Sequence, residues 1–342
     1  MAAGLEAPWV VELSSQTTRC GFAHASHIDC MQEVATCSLP SHGSLVHSDR
    51  TLGSTDRVLD DIAATLERSG HEWQPRLTVV VPARCSQRML RAISHVVLES
   101  GSVDKLLVLP SAACHAVGAG FQSCVVVDAG AGGTDVAGVL GSAVVAKDST
   151  LHADFAGQQL TARVALLLKE ITGSPVSDAT AAECKHAFAC FDGPHRPLEP
   201  DFFTLPDGAV LSSSDIGSRV QEEIGGAWTS VHKQVVSGVS SALARVPASD
   251  SSDRTTVLLT GGQSRIPNMP LRLAADLASL EDAGHLHIRR SATAERNGFL
   301  GAFFLSATSM YEKKLAMSKD LFEEEGDRHV RLFTGSVPEA FL

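Results

Sequence analysis

Positive charge is in short supply in this chain. Its 342 residues carry 28 Lys and Arg against 39 Asp and Glu, a formal charge of −11. Such a chain repels nucleic acid unless it hides a basic patch, and its longest basic runs are the pairs Arg289–Arg290 and Lys313–Lys314. No apolar run approaches the ~20 residues of a membrane span. The N-terminus has no basic segment followed by an apolar one, so no signal peptide is expected. There is no Cys-x-x-Cys pair, and eight irregularly spaced cysteines suit reduced, mostly buried thiols in a cytoplasmic protein. No G-x-G-x-x-G joins a strand to a helix, which argues against a dinucleotide-binding unit. The 14 histidines are scattered, with no nucleophile that can be paired to any of them. Asp60–Asp61 and Glu323–Glu324–Glu325 read as solvated helix faces and not as acid/base pairs. One cluster of soft ligands, Cys20, His24, His27 and Cys30, could hold zinc, though ordinary surface and core roles are the plainer reading.

What is present is ordinary globular material: 44% hydrophobic and 20% charged residues. The length is more than one core usually holds, so two lobes are expected. Strand, turn and strand are expected over 8–23, then a polar stretch. Helical spacing appears at 56–70 through Val58, Leu59, Ile62 and Leu66. A buried strand at 76–83, an amphipathic helix at 86–101, a strand at 105–110 and a small-residue helix follow. Residues 123–145 read as a hairpin and a third strand, punctuated by glycine. Helices are expected at 157–173 and 177–191, with a Pro-rich surface excursion at 192–206. A mostly helical stretch precedes a strand at 255–260 that runs into a Gly-Gly turn. Helix, strand and helix complete an α/β pattern.

The stretch DAGAGGTDV at 128–136 carries the most chemistry. A carboxylate ends a buried strand, and Gly130, Gly132 and Gly133 then let the backbone turn tightly and approach a ligand. Backbone amides in such a turn can cradle phosphate oxygens. Asp128 sits where a magnesium ion would be held through water. A ligand-free glycine hairpin remains the alternative.

This segment resembles the second phosphate loop of the actin superfamily, which also includes sugar kinases and heat-shock chaperone ATPases. TGGQSRIPNM at 260–269 resembles the actin adenosine element. FTLPDGAV at 203–210 is similar to a stretch of actins and their near relatives. ERNGFLGAFFLSATSM and MSKDLFEEEG resemble the actin C-terminal segments, and VVELSSQTTRCGFA at 10–23 stands in the place of the first phosphate loop. The resemblance implies the actin-like two-lobed ATPase fold, built from duplicated ribonuclease-H-like domains. Its lobes would be 1–150 and 151–290, with a C-terminal return at 291–342. It also implies ATP or ADP with magnesium, bound by Ser15, Thr17, Arg19, Asp128, Gly130, Gly132, Thr134, Gly261 and Gly262.

Two departures from actin stand out. The first loop has Glu12, Ser14 and Gln16 with no glycine before Gly21, so left-handed backbone is disfavoured there. Ser111 falls where actins have a water-positioning glutamine and is too short for that job. From these the expectation is slow or absent hydrolysis, a chain that is not an enzyme, with nucleotide binding left open. About fifty residues separate the first loop from Arg76, fewer than in conventional actins, which implies a reduced subdomain 2. Together these features resemble the pointed-end actin-related subunit of dynactin. That resemblance implies a cytoskeletal capping subunit with actin-like, dynactin-type partners and a link to dynein. The alternatives are an actin-related subunit of a chromatin-remodelling complex and a nucleotide-hydrolysing, filament-forming actin-like protein.

Overall fold

The computed structural model describes residues 9–13, 17–22, 35–38, 76–83, 85, 87–99, 103–144, 151–152, 155–194, 200–246, 254–280, 283–308 and 315–326. The helix expected at 56–70, the loop residues Ser14, Ser15 and Gln16, and the ligand candidates His24, His27 and Cys30 lie outside them.

One topology is built twice. In the first sheet β1 (Trp9–Leu13), β2 (Thr17–Phe22) and β3 (Ala35–Ser38) form an antiparallel meander. Beside β1 lie β4 (Arg76–Val81) and then β5 (Lys105–Pro110), both parallel. In the second sheet β6 (Cys124–Ala129), β7 (Thr134–Leu140) and β8 (Ala143–Val144) form the meander, and β9 (Leu151–His152) also pairs with β7. Beside β6 lie β12 (Thr255–Thr260) and β13 (Leu286–Arg290), again parallel. The inner strands are runs of Val and Leu because both of their faces are buried. The strand β14 (Met317–Ser318) closes the far edge of the first sheet against β5.

Helices cover both sheets. On the first lie α1 (Gln87–Glu99), α7 (Asn297–Ser306) and α8 (Lys319–Glu325), the last capped by Ser318, whose hydroxyl accepts from the Leu321 amide. On the second lie α3 (Gly157–Thr172), α4 (Asp178–Phe188), α5 (Ser213–Leu243) and α6 (Met269–Leu277). The α5 helix runs unbroken for 31 residues despite Gly225 and Gly226. Its buried stripe, including Ile216, Val220, Ile224, Ala227, Val231, Val235 and Val239, recurs at steps of three and four and keeps one face on the core. Burial of that stripe holds the helix against the glycine penalty of roughly 1 kcal/mol each.

Helix α2 (Ser111–Gly118) stands between the sheets. Ala112, Ala113 and Ala116 pack with Val126, Ala137 and Leu258 of the second sheet. Cys114 packs the other way, with Val10 of the first sheet and Phe299 of α7.

Strand β6 pairs with β12, and β7 and β8 follow it in order, so residues 124–144 belong to the second sheet. The Pro-rich excursion also holds structure: β10 (Phe202–Thr204) and β11 (Val210–Ser212) form an antiparallel hairpin. Phe203 and Leu211 on one of its faces pack onto the second core.

Candidate functional site

The two meanders place their first strands' penultimate residues alike. In the first, Glu12 of β1 pairs across the strands with Arg19 of β2. In the second, Asp128 of β6 pairs with Asp135 of β7. All four residues line one cleft of about 510 Å³ between the sheets. Glu12 and Arg19 make an ion pair, Arg19 Nη1 donating to Glu12 Oε2 at 2.9 Å. Asp128 and Asp135 are two carboxylates facing each other across a ladder, an arrangement that is unfavourable unless cations balance it.

One group that can supply balancing positive charge is on α2. His115 is 5% exposed, and its Nε2 lies 3.5 Å from Asp128 Oδ2. Its Nδ1 lies 3.2 Å from Thr260 Oγ1. Thr260 spends its own proton on the Ala294 carbonyl at 2.7 Å, so its oxygen accepts from Nδ1–H and the other ring nitrogen is left to face the carboxylate. Burial alone would lower the His115 pKa. The charge and hydrogen bond of Asp128, helped by Glu12 and opposed by Arg19, outweigh burial and leave it above the ordinary histidine value.

The glycine turn joins β6 to β7. The Gly130 amide donates to the Gly133 carbonyl at 2.9 Å. Gly130, Gly132 and Gly133 are not in the left-handed region, so small size and not positive φ is what the turn uses here. The Gly130 and Ala131 carbonyls accept from the Gly157 and Gln158 amides at the start of α3, at 3.0 and 2.9 Å. With those carbonyls occupied, amides are what the turn offers to a phosphate. Gly261 closes the opposite wall at φ +81°, and a β-carbon there would meet Asp128 Oδ1 and the Ala129 backbone. That position demands glycine both for conformation and for close approach.

Of the residues expected at the site, Arg19, Asp128, Gly130, Gly132, Gly261 and Gly262 line the cleft, and so does Ser111. Thr134 is fully buried, and its hydroxyl donates to the Phe155 carbonyl at 2.8 Å, so it braces the turn from behind. Thr17 lies in β2 at the start of the first hairpin's return strand. Ser15 lies outside the described residues.

Sequence reasoning missed Asp135, His115 and Lys185. The Lys185 ammonium reaches into the cleft from α4 and donates to the Gly157 carbonyl at 3.0 Å and Thr161 Oγ1 at 2.9 Å. Burial brings its pKa down to about 8, and together with Lys185 and Arg265 burial also lowers His186.

The donors suit magnesium with a nucleotide. Among the described residues no group of three His, Cys, Asp or Glu could hold a metal ion unaided. Magnesium is usually held by one or two carboxylates, its own waters and the nucleotide's phosphates, and Asp128 beside a glycine turn supplies that share. No helix among the described residues is long and apolar enough to cross a membrane.

A protein-family model described as MreB/Mbl protein matches residues 50–279, about two thirds of the chain. The matched stretch holds the glycine turn, Asp128, Asp135, Lys185 and Gly261. Glu12 and Arg19 fall before it. No curated protein matches the chain. The family match corrects the expectation that the chain is not an enzyme, since MreB/Mbl proteins are actin-like ATPases that hydrolyse ATP. With the repeated sheet topology, the match makes the fold actin-like and ties the chain to a cytoskeletal family that binds ATP or ADP with magnesium. The chain belongs to the MreB/Mbl family of actin-like ATPases.

Proposed function

We propose that this chain is a nucleotide-hydrolysing, filament-forming actin-like protein that works in the cytoplasm. The observation that carries the reading is the cross-strand pair Asp128–Asp135 on the floor of the cleft, flanked by the glycine turn. Phosphoryl transfer is mostly positioning and charge neutralisation. The amides of 131–133 and the Arg19 guanidinium would hold the phosphates. Asp128 would hold magnesium through water, and the bound ion would neutralise charge on the phosphates. Asp135 then remains to orient the attacking water and accept its proton. This gives a water-positioning group although Ser111 is too short, so the departure at Ser111 no longer implies loss of turnover. Gly261, Gly262 and the Lys185 side of the cleft would receive the nucleoside.

The test is phosphate release by the purified full-length chain with magnesium and ATP, beside high-speed pelleting with and without nucleotide. Turnover lost in Asp128→Asn, with ATP-dependent pelleting, is the expected result. A chain that neither releases phosphate nor pellets overturns the reading.

A second reading keeps the ATPase cleft but ends filaments instead of extending them, as a dynactin-type pointed-end subunit would. The short stretch of about fifty residues between β2 and β4 supports it, because head-to-tail assembly stops when one face is missing. Its partners would be other actin-like subunits, including those of dynein-linked complexes. Under it the chain alone stays in the supernatant with ATP yet slows growth of an actin-like filament.

A further inference from the structure

We propose that His115 is a positioning residue for Asp128, holding that carboxylate in one orientation and tying it to the helix that separates the two sheets. The inference rests on the nucleotide reading above and adds a residue to it.

The ring is fenced in on three sides. Thr260 on β12 receives Nδ1–H at 3.2 Å and is itself anchored on the Ala294 carbonyl at 2.7 Å. Asp128 Oδ2 faces Nε2 at 3.5 Å. On α7, a β-carbon at Gly298 would come within 3.2 Å of His115 Cε1 and would run into the Glu12 carboxylate. The ring therefore has one place to sit. Asp128 is fenced as well, with Oδ2 toward the imidazole and Oδ1 against Gly261.

The placement lets His115 reach both sheets. It projects from α2, whose two faces belong to two different cores. It touches the ends of β6 and β12 in the second sheet and stands close to Glu12 of the first. A shift of α2 between the sheets is thereby transmitted to the carboxylate beside the glycine turn. Groups behind a metal-holding carboxylate typically change metal affinity or activity about 10–100-fold when removed.

The two ring nitrogens can be tested separately. In His115→Gln the side-chain amide nitrogen takes roughly the place of Nε2 and keeps the group facing Asp128. In His115→Asn it takes roughly the place of Nδ1 and keeps only the Thr260 side. Binding of a fluorescent ATP analogue to the full chain is measured by anisotropy, with thermal melts as the check on folding. Weakening of about ten-fold or more is expected in His115→Ala and His115→Asn, with most of the affinity recovered in His115→Gln. Equal affinity in His115→Asn and His115→Gln, or wild-type affinity in His115→Ala, overturns the proposal. A wild-type chain that binds no analogue overturns the nucleotide reading instead. The positioning role is then decided without nucleotide, by a thermal double-mutant cycle of His115→Ala with Asp128→Asn. Non-additive shifts in midpoint support the role, and additive shifts remove it.

Discussion

Gly301 of α7 faces the main-chain carbonyl of Cys114 on α2 so closely that a β-carbon there would overlap it. Gly118 stands in the same relation to the Asn297 carbonyl. The two helices thus cross backbone to backbone. Gly301→Ala must push them apart and is expected to cost about 1–3 kcal/mol, as overpacking of a tight contact does. Because α2 also carries Ser111 and His115 to the cleft, ATP-analogue affinity should fall in the same variant. The control is Gly225→Ala in the long helix α5, where a β-carbon meets nothing within 4 Å. There the exchange should be neutral or stabilise by up to about 1 kcal/mol. Thermal unfolding followed by circular dichroism separates the two.

Asp135 separates binding from chemistry. If it orients the attacking water, Asp135→Asn should leave ATP-analogue affinity within a few-fold of wild type and reduce kcat by about 10²–10⁴. Asp128→Asn should lose both. Removing one of two facing carboxylates also relieves repulsion, so Asp135→Asn is expected to melt no lower than wild type in the absence of nucleotide. Single-turnover phosphate release, with the affinities measured in parallel, decides the point. A Asp135→Asn variant with wild-type kcat leaves the water to another group.

How much of this was legible in the sequence depends on the kind of group involved. Asp128, Gly130, Gly261 and Gly262 sit at or just past strand ends, and a Val-rich run stopping at Asp or Gly is a local signal. Asp135 needs one more step, the register. Once Ala129 pairs with Thr134, Asp135 must lie opposite Asp128, and the spacing could have shown this. His115 and Lys185 could not be read in the same way. Each is a polar residue on a helix rich in small side chains, and only packing between distant elements brings it to the cleft. The 202–212 hairpin was missed although Pro206-Asp207-Gly208 is a turn signal, because strands of three residues give too little alternation to stand out. The misjudged hydrolysis came from weighing the glycine-free first loop and Ser111 without their surroundings, when a neighbouring strand can supply a water-positioning group.

Lys185 gives the chain a pH signature. Its folded pKa of about 8 lies below the ordinary lysine value of 10.5. Between those pH values the unfolded chain binds the proton and the folded chain does not, so stability rises with pH across the window and is lost as pH falls through about 8. The window corresponds to about 3 kcal/mol at most. Other groups titrate over the same range, so the useful quantity is the stability of wild type minus that of Lys185→Met. That difference should grow from pH 8 to pH 10.5 and stay flat from pH 6 to pH 7.5. Urea denaturation at a series of pH values measures it, and a flat difference throughout would assign the proton elsewhere.

The 202–212 hairpin offers a test of assembly. Its inward face, Phe203 and Leu211, packs on the second core. Its outward face carries Phe202 and Val210, which are 59% and 60% exposed. The register pairs Phe202 with Ser212 and Thr204 with Val210, so the two apolar side chains share that face diagonally. A strand pair that is apolar on both faces is unusual where one face meets water, and a second surface against the outer one would explain it. If subunits join head to tail through this face, Phe202→Ser with Val210→Thr should reduce ATP-dependent pelleting at least several-fold. Phosphate release by the dilute chain should stay unchanged, since neither residue lines the cleft. Thermal unfolding should also change little, because both side chains are already exposed in the single chain. Pelleting that persists in the double variant, with folding intact, would move the subunit contact to another face.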